Sequence, residues 1–126
     1  MMIGMGLGMV DRDIEVGKEY KVGTFTLNGV TYDRYLKIVD CGALPNNTSK
    51  NVAHGITFIG IIGISGWSAY YTNPSDTVPT YVIPIPSVNA VSSILVGVYI
   101  TPSNIVITGN YDLTTYHGYV ILEYFR

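Results

Sequence analysis

Apolar positions alternate with polar ones over short stretches of this chain, the period of a half-buried strand. No run of about twelve residues shows the i, i+3, i+4, i+7 spacing with caps that marks an amphipathic helix. Val, Ile, Thr and Tyr, which suit a pleated surface, are abundant. The pattern predicts strands at Tyr20–Leu27, Val30–Cys41, Ile56–Ile64, Gly66–Tyr71, Tyr81–Pro86, Ser93–Thr101, Asn104–Thr108 and His117–Phe125. The first two flank Asn28-Gly29, a dipeptide that tolerates positive φ at both centres of a type I′ hairpin turn. In the second, Leu36 and Ile38 alternate with Lys37, which predicts an inward apolar row and an outward polar one.

Gly42 to Lys50, with Pro45-Asn46-Asn47-Thr48, reads as a turn-rich connection, and Thr72 to Thr80 as a polar loop. The apolar run from Gly55 to Trp67 is broken by Gly60, Gly63 and Gly66 and reads as paired buried strands. Pro84 and Pro86 place Tyr81–Pro86 at a sheet edge or in an extended arm, because proline donates nothing to a ladder. In the last strand Val120, Leu122 and Tyr124 form one apolar row and Tyr119, Ile121 and Phe125 another, so a covering layer is required on each side. That layer is either another sheet or a neighbouring subunit, and the expected fold is all-β with about seven to eight strands, one domain over residues 20–126 preceded by an extended segment over 1–19.

Composition adds that the surface is short of charge. Charged residues are 13% and hydrophobic ones 48% of the 126 residues, and eleven are Tyr. Charge ordinarily keeps like molecules apart, so the composition suggests that neighbours cover much of this surface. Seven Lys or Arg and a net charge of −2 provide no footprint for a phosphate backbone, so nucleic acid is not an expected partner. The apolar start, Met1 to Val10, is too short for a membrane span and lacks a basic region before it, so neither a signal peptide nor membrane insertion is expected. Cys41, the single cysteine, reads as a small buried apolar residue.

Several strings, taken in order, point to a family. These are Val22-Gly23-Thr24, Asn28-Gly29 followed by Tyr32-Asp33-Arg34-Tyr35, Gly42-Ala43-Leu44-Pro45-Asn46-Asn47-Thr48, Val52-Ala53-His54-Gly55-Ile56, and Tyr116 through Tyr124. Together they resemble the C-terminal receptor-binding modules of tail fibres and related virion appendage proteins of phages and prophages, over residues 20 to 125. The resemblance implies a β-sandwich module, commonly a homotrimer, at the exposed end of an appendage in contact with the host surface. The family module usually ends a long fibre, whereas here residues 1–19 precede it. Ile3, Met5, Leu7 and Met9, interleaved with glycines, are expected to form a peg that docks into another virion protein, which favours a head-fibre, decoration or baseplate location.

Gly4-x-Gly6-x-Gly8 has no preceding strand, following helix or phosphate-loop lysine, and Asp11, Asp13 and Glu15 lack the remaining ligands of a calcium loop. His54 and His117 have neither the spacing of a zinc pair nor that of a catalytic triad with Asp40 or Asp112, and His54 reads as a hydrogen-bonding structural residue. A carboxylate pair about 5–9.5 Å apart would suit polysaccharide hydrolysis, but so short a chain has little room for an extended substrate groove. No cofactor, metal or catalytic residue is expected. Tyr70, Tyr71, Asn73, Asp76, Tyr111 and Tyr116 are the candidate ligand contacts: aromatic faces pack on the apolar face of a pyranose while Asn and Asp bond its hydroxyls. The same tyrosines suit a subunit interface equally well, and Trp67 reads as core. The expected function is a virion module that binds a host-surface glycan or protein, the alternative a capsid decoration or head-fibre protein with an assembly role alone.

Overall fold

The computed structural model describes residues 13–73, 75–89 and 94–126. Those residues contain β1 (Glu19–Leu27), β2 (Val30–Ala43), β3 (Ser49–Ala53), β4 (Gly60–Tyr70), β5 (Tyr81–Ile85), β6 (Ser87–Asn89), β7 (Ile94–Ile100), β8 (Asn104–Gly109) and β9 (Tyr116–Phe125), and no helix. They form two antiparallel sheets, one of five strands in the order β1-β2-β9-β4-β5 and one of four in the order β3-β8-β7-β6. The expected all-β sandwich is the fold of the protein. The predicted anchor residues Ile3, Met5, Leu7 and Met9 lie outside the described residues, as do the Gly4-x-Gly6-x-Gly8 string, Asp11 and Ser93.

The core lies between the sheets. Val39, Cys41, Val120, Leu122 and Tyr124 of the larger sheet meet Val96, Ile105 and Ile107 of the smaller one, together with Leu44, Ile56 and Leu113 from connecting segments. Burying aliphatic side chains of this size is worth roughly 1.5–3 kcal/mol each, and it makes β9, paired on both sides, the organising strand. Burial pushes the Cys41 thiol up to about 11, so it stays protonated and inert at neutral pH.

Local chemistry sets the first hairpin. Leu27 pairs with Val30 across Asn28 and Gly29, whose φ angles of 52° and 81° are the two positive values that a type I′ turn needs. The face assignment in β2 is the reverse of the expected one. Lys37 pairs with Leu122 on the core side, while Leu36 and Ile38 pair with Glu123 and Ile121 on the outer face. Lys37 is accommodated because its ammonium donates to the His54 carbonyl at 2.8 Å.

The glycine-rich run departs from the prediction too. Residues 56–59 are not a strand, and β4 runs unbroken through Gly66 between β9 and β5. Gly60 and Gly66 are clearances, not turns: a Cβ on Gly66 would lie 2.3 Å from the Tyr119 carbonyl oxygen, and one on Gly60 would strike the Phe125 ring at 2.5 Å. β3, which the pattern did not predict, has a single apolar residue facing the core, Val52, and pairs with β8. β5 occupies a sheet edge as its prolines predict, and beyond Pro86 the chain enters β6 at an edge of the other sheet. Trp67 is also placed differently from its expected core position. It pairs with Tyr119 on the outer face, because the neighbouring Gly66 and Ser68 take the core-facing positions.

Candidate ligand-binding site

Two connections meet beside the outer face of the larger sheet. The first, residues 71–80, is closed at its base by Thr80 N–H donating to the Tyr70 carbonyl at 2.8 Å and by a 2.6 Å hydroxyl contact between Thr72 and Thr80. Within it Asn73 Oδ1 accepts from Ser75 N–H and Oγ, and the Asn73 carbonyl accepts from Asp76 N–H, a side-chain turn that orients Asp76. The second, residues 110–115, is pinned by Leu113, which is buried and whose N–H donates to the Pro45 carbonyl at 3.2 Å. An isolated bridge between Asn46 and Asp112 and the bond from Asn47 N–H to the Tyr111 carbonyl hold the same loop against the segment after β2. Asp112 Oδ1 accepts from Thr114 N–H and Oγ1, and these bonds hold the Asp112 carboxyl below the usual carboxylate range.

Between the loops lies an open pocket of about 410 Å³ lined by Ala43, Tyr71, Asp76, Thr114, Thr115, Tyr116 and His117. The lining combines two aromatic phenols, an imidazole, two hydroxyls and a carboxylate, the mixture of apolar walls and a few directed polar groups that binds a small hydroxylated molecule. His117 is held by Asp40, with Nε2 and Oδ1 2.6 Å apart, and its ring touches Tyr119 at a centroid distance of 5.0 Å. Tyr119 stacks on Trp67, also at 5.0 Å, so an aromatic strip runs from the pocket across the sheet. Partial burial, then the nearby Asp40 and Tyr71, push the Tyr119 phenol above its ordinary range, which keeps it a neutral donor.

The six sequence candidates divide. Tyr71, Asp76 and Tyr116 line the pocket. Tyr70 does not; its ring packs on Tyr81 at 5.7 Å and Tyr116 at 5.3 Å, and so buttresses the wall. Asn73 has its amide oxygen engaged in forming the loop, and Tyr111 is exposed on the second loop away from the lining. Sequence reasoning missed Ala43, Thr114, Thr115 and His117 as lining residues. His117 had one signal, its place next to Tyr116, but the Asp40 that holds it is 77 residues away.

A smaller cavity of about 330 Å³ is lined by Ile56, Thr57, Phe58 and Pro102. With one hydroxyl among its side chains, it provides little to orient a polar ligand. Comparisons with protein-family models, with curated proteins and with solved structures found no match to this chain.

Proposed function

We propose that this chain is a bacteriophage virion appendage module, a homotrimer without catalytic function that binds a glycan of the host surface. The observation that carries the reading is the pocket in which Tyr71 and Asp76 of one loop converge with Thr114 and Thr115 of another and with Tyr116 and His117 at the start of β9. Aromatic walls with directed hydroxyl and carboxylate acceptors suit a pyranose, whose one face is apolar and whose rim is a ring of hydroxyls. The order of strings that resembles phage appendage modules supplies the virion context. Assembly is supported by the low charge of the chain and by Leu95 and Tyr99, which share a face of the smaller sheet and stand exposed there, and Tyr81 and Val82 on the edge strand β5.

Two measurements on the full chain test it. Light scattering at several concentrations should return a mass near three times the 13.8 kDa protomer. A mixed glycan array should show saccharide binding that Tyr116→Ala weakens about tenfold, the scale of one lost aromatic anchor. A persistent monomer with no saccharide bound would sink the proposal, and a trimer that enters virions without binding any saccharide would favour the decoration role instead.

A further inference from the structure

Resting on the glycan-binding reading above, we infer that the ligand is a neutral oligosaccharide, with one unit in the pocket and the next on the Trp67–Tyr119 strip. The first ground is charge. None of the six described Lys and Arg is itself a lining residue: Lys18 pairs with Glu15, Lys21 with Asp33, Arg34 with Glu123 and Arg126 with Glu19, Lys37 donates to the His54 carbonyl, and Lys50, the one that reaches the lining backbone, donates to the Ala43 carbonyl. The pocket itself contains Asp76, whose carboxylate has no partner among the described residues, and His117, whose Nε2 is already engaged by Asp40. An acidic sugar would bring a second negative group to Asp76 with no Lys or Arg in the lining to receive it. A neutral diol instead donates two hydroxyl hydrogens to that carboxylate, a charge-assisted pair of bonds.

The second ground is the strip. His117 belongs both to the pocket and, through Tyr119, to the row that ends at Trp67, and the two larger rings lie on the outer face opposite Asp40 and Pro84. Both rings remain partly exposed among the described residues. A chain of sugars leaving the pocket past His117 meets these rings next, so affinity should grow with the length of the saccharide.

Calorimetry on the full chain tests this with gluco-, galacto-, manno- and N-acetylglucosamine saccharides of increasing length and with uronate- and sialate-bearing counterparts, at low and high salt. Neutral sugars should bind, with a gain of about tenfold from mono- to trisaccharide, and with little change between salt concentrations because no net charge is paired. Asp76→Asn should weaken binding at each length by about tenfold. Trp67→Ala should abolish the gain with length, and Trp67→Phe, which keeps a ring and spares the fold, should reduce it. Affinity independent of length, or binding confined to acidic sugars and lost in salt, would overturn the inference while leaving the glycan reading intact. Failure of every saccharide, neutral or acidic, would overturn that reading and this inference together.

Discussion

The chain has two histidines, and their surroundings differ in kind. His54 is 1% exposed, and both of its ring nitrogens are used. Nδ1 accepts from Ile56 N–H at 3.1 Å, so Nε2 carries the proton and donates to the Thr101 carbonyl at 2.9 Å. Its backbone is held as well, by Ser103 on one side and Lys37 on the other, and its ring meets Phe58 edge-on. His117 has one ring nitrogen on Asp40 and no partner for the other among the described residues, with its side chain 41% exposed beside the pocket. A buried polar group must satisfy its hydrogen bonds internally to be tolerated, whereas one at a rim can keep capacity for a ligand. The bonding inventory, more than residue type, separates the structural imidazole from the candidate functional one.

The neighbourhood of His54 extends into a charged network. Arg126 bonds both carboxylate oxygens of Glu19 and the Thr57 carbonyl, lies over the Tyr35 ring at 4.2 Å, and shares Glu19 with the Tyr124 hydroxyl. Glu19 is therefore held below its usual range, first by its hydrogen bond to Arg126 and also by that to Tyr124, against an opposing effect of burial. Burial and the Glu19 contact push the Tyr124 phenol well above its ordinary range. On this side the polar groups are taken up by one another, whereas on the pocket side the Asp76 carboxylate and one ring nitrogen of His117 have no partner among the described residues.

Breaking the closed side should have the largest effect. His54→Ala removes two ring hydrogen bonds, strands a buried N–H and a carbonyl, and leaves a cavity, so urea unfolding should show a loss of about 3 kcal/mol. Saccharide binding, measured on the folded fraction, should persist; a loss of stability under about 1 kcal/mol would erase the contrast between the two histidines.

Glu19→Gln comes next, at about 2 kcal/mol near neutral pH, because charge-assisted bonds to Arg126 are lost. Its pH dependence has a definite sign. A carboxyl whose folded value lies below its unfolded one contributes fully above the unfolded value, and that contribution fades as pH falls through the folded one. The wild type should therefore lose stability on acidification below about pH 4.5, the ordinary Glu value, more steeply than Glu19→Gln. Parallel acid limbs in paired unfolding titrations would remove Glu19 from the network.

The smallest effect on stability belongs to His117→Ala. Its contact with Asp40 is exposed, and exposed polar pairs are worth little, so unfolding should shift by less than about 0.5 kcal/mol. Binding of the best saccharide should nevertheless fall about tenfold, since the residue joins the pocket to the strip. Equal losses in stability and affinity would indicate that His117 acts only through the fold.

Much of this architecture was legible in the chain because its determinants are local. Alternation places Val120, Leu122 and Tyr124 on one face of β9, Asn28-Gly29 sets a two-residue turn, and Pro84 confines β5 to an edge. Tyr71, Asp76 and Tyr116 were legible as candidates that line one pocket because aromatic and polar groups cluster at loop boundaries. Long-range packing decided the remainder. Lys37 faces inward because the His54 carbonyl comes within reach, the glycines of β4 admit the Tyr119 backbone and the Phe125 ring, and Trp67 lies outside because its core-facing neighbours are Gly66 and Ser68. His117 becomes a pocket residue only when strand pairing brings Asp40 beside it. The sequence by itself determined that the chain is built of strands and where the Asn28-Gly29 turn falls, since those depend on neighbours one or two residues away, but not β3 or the continuity of β4. Which faces are covered, and which loops meet to form the pocket, depended on contacts between residues distant along the chain and was decided by the tertiary structure alone.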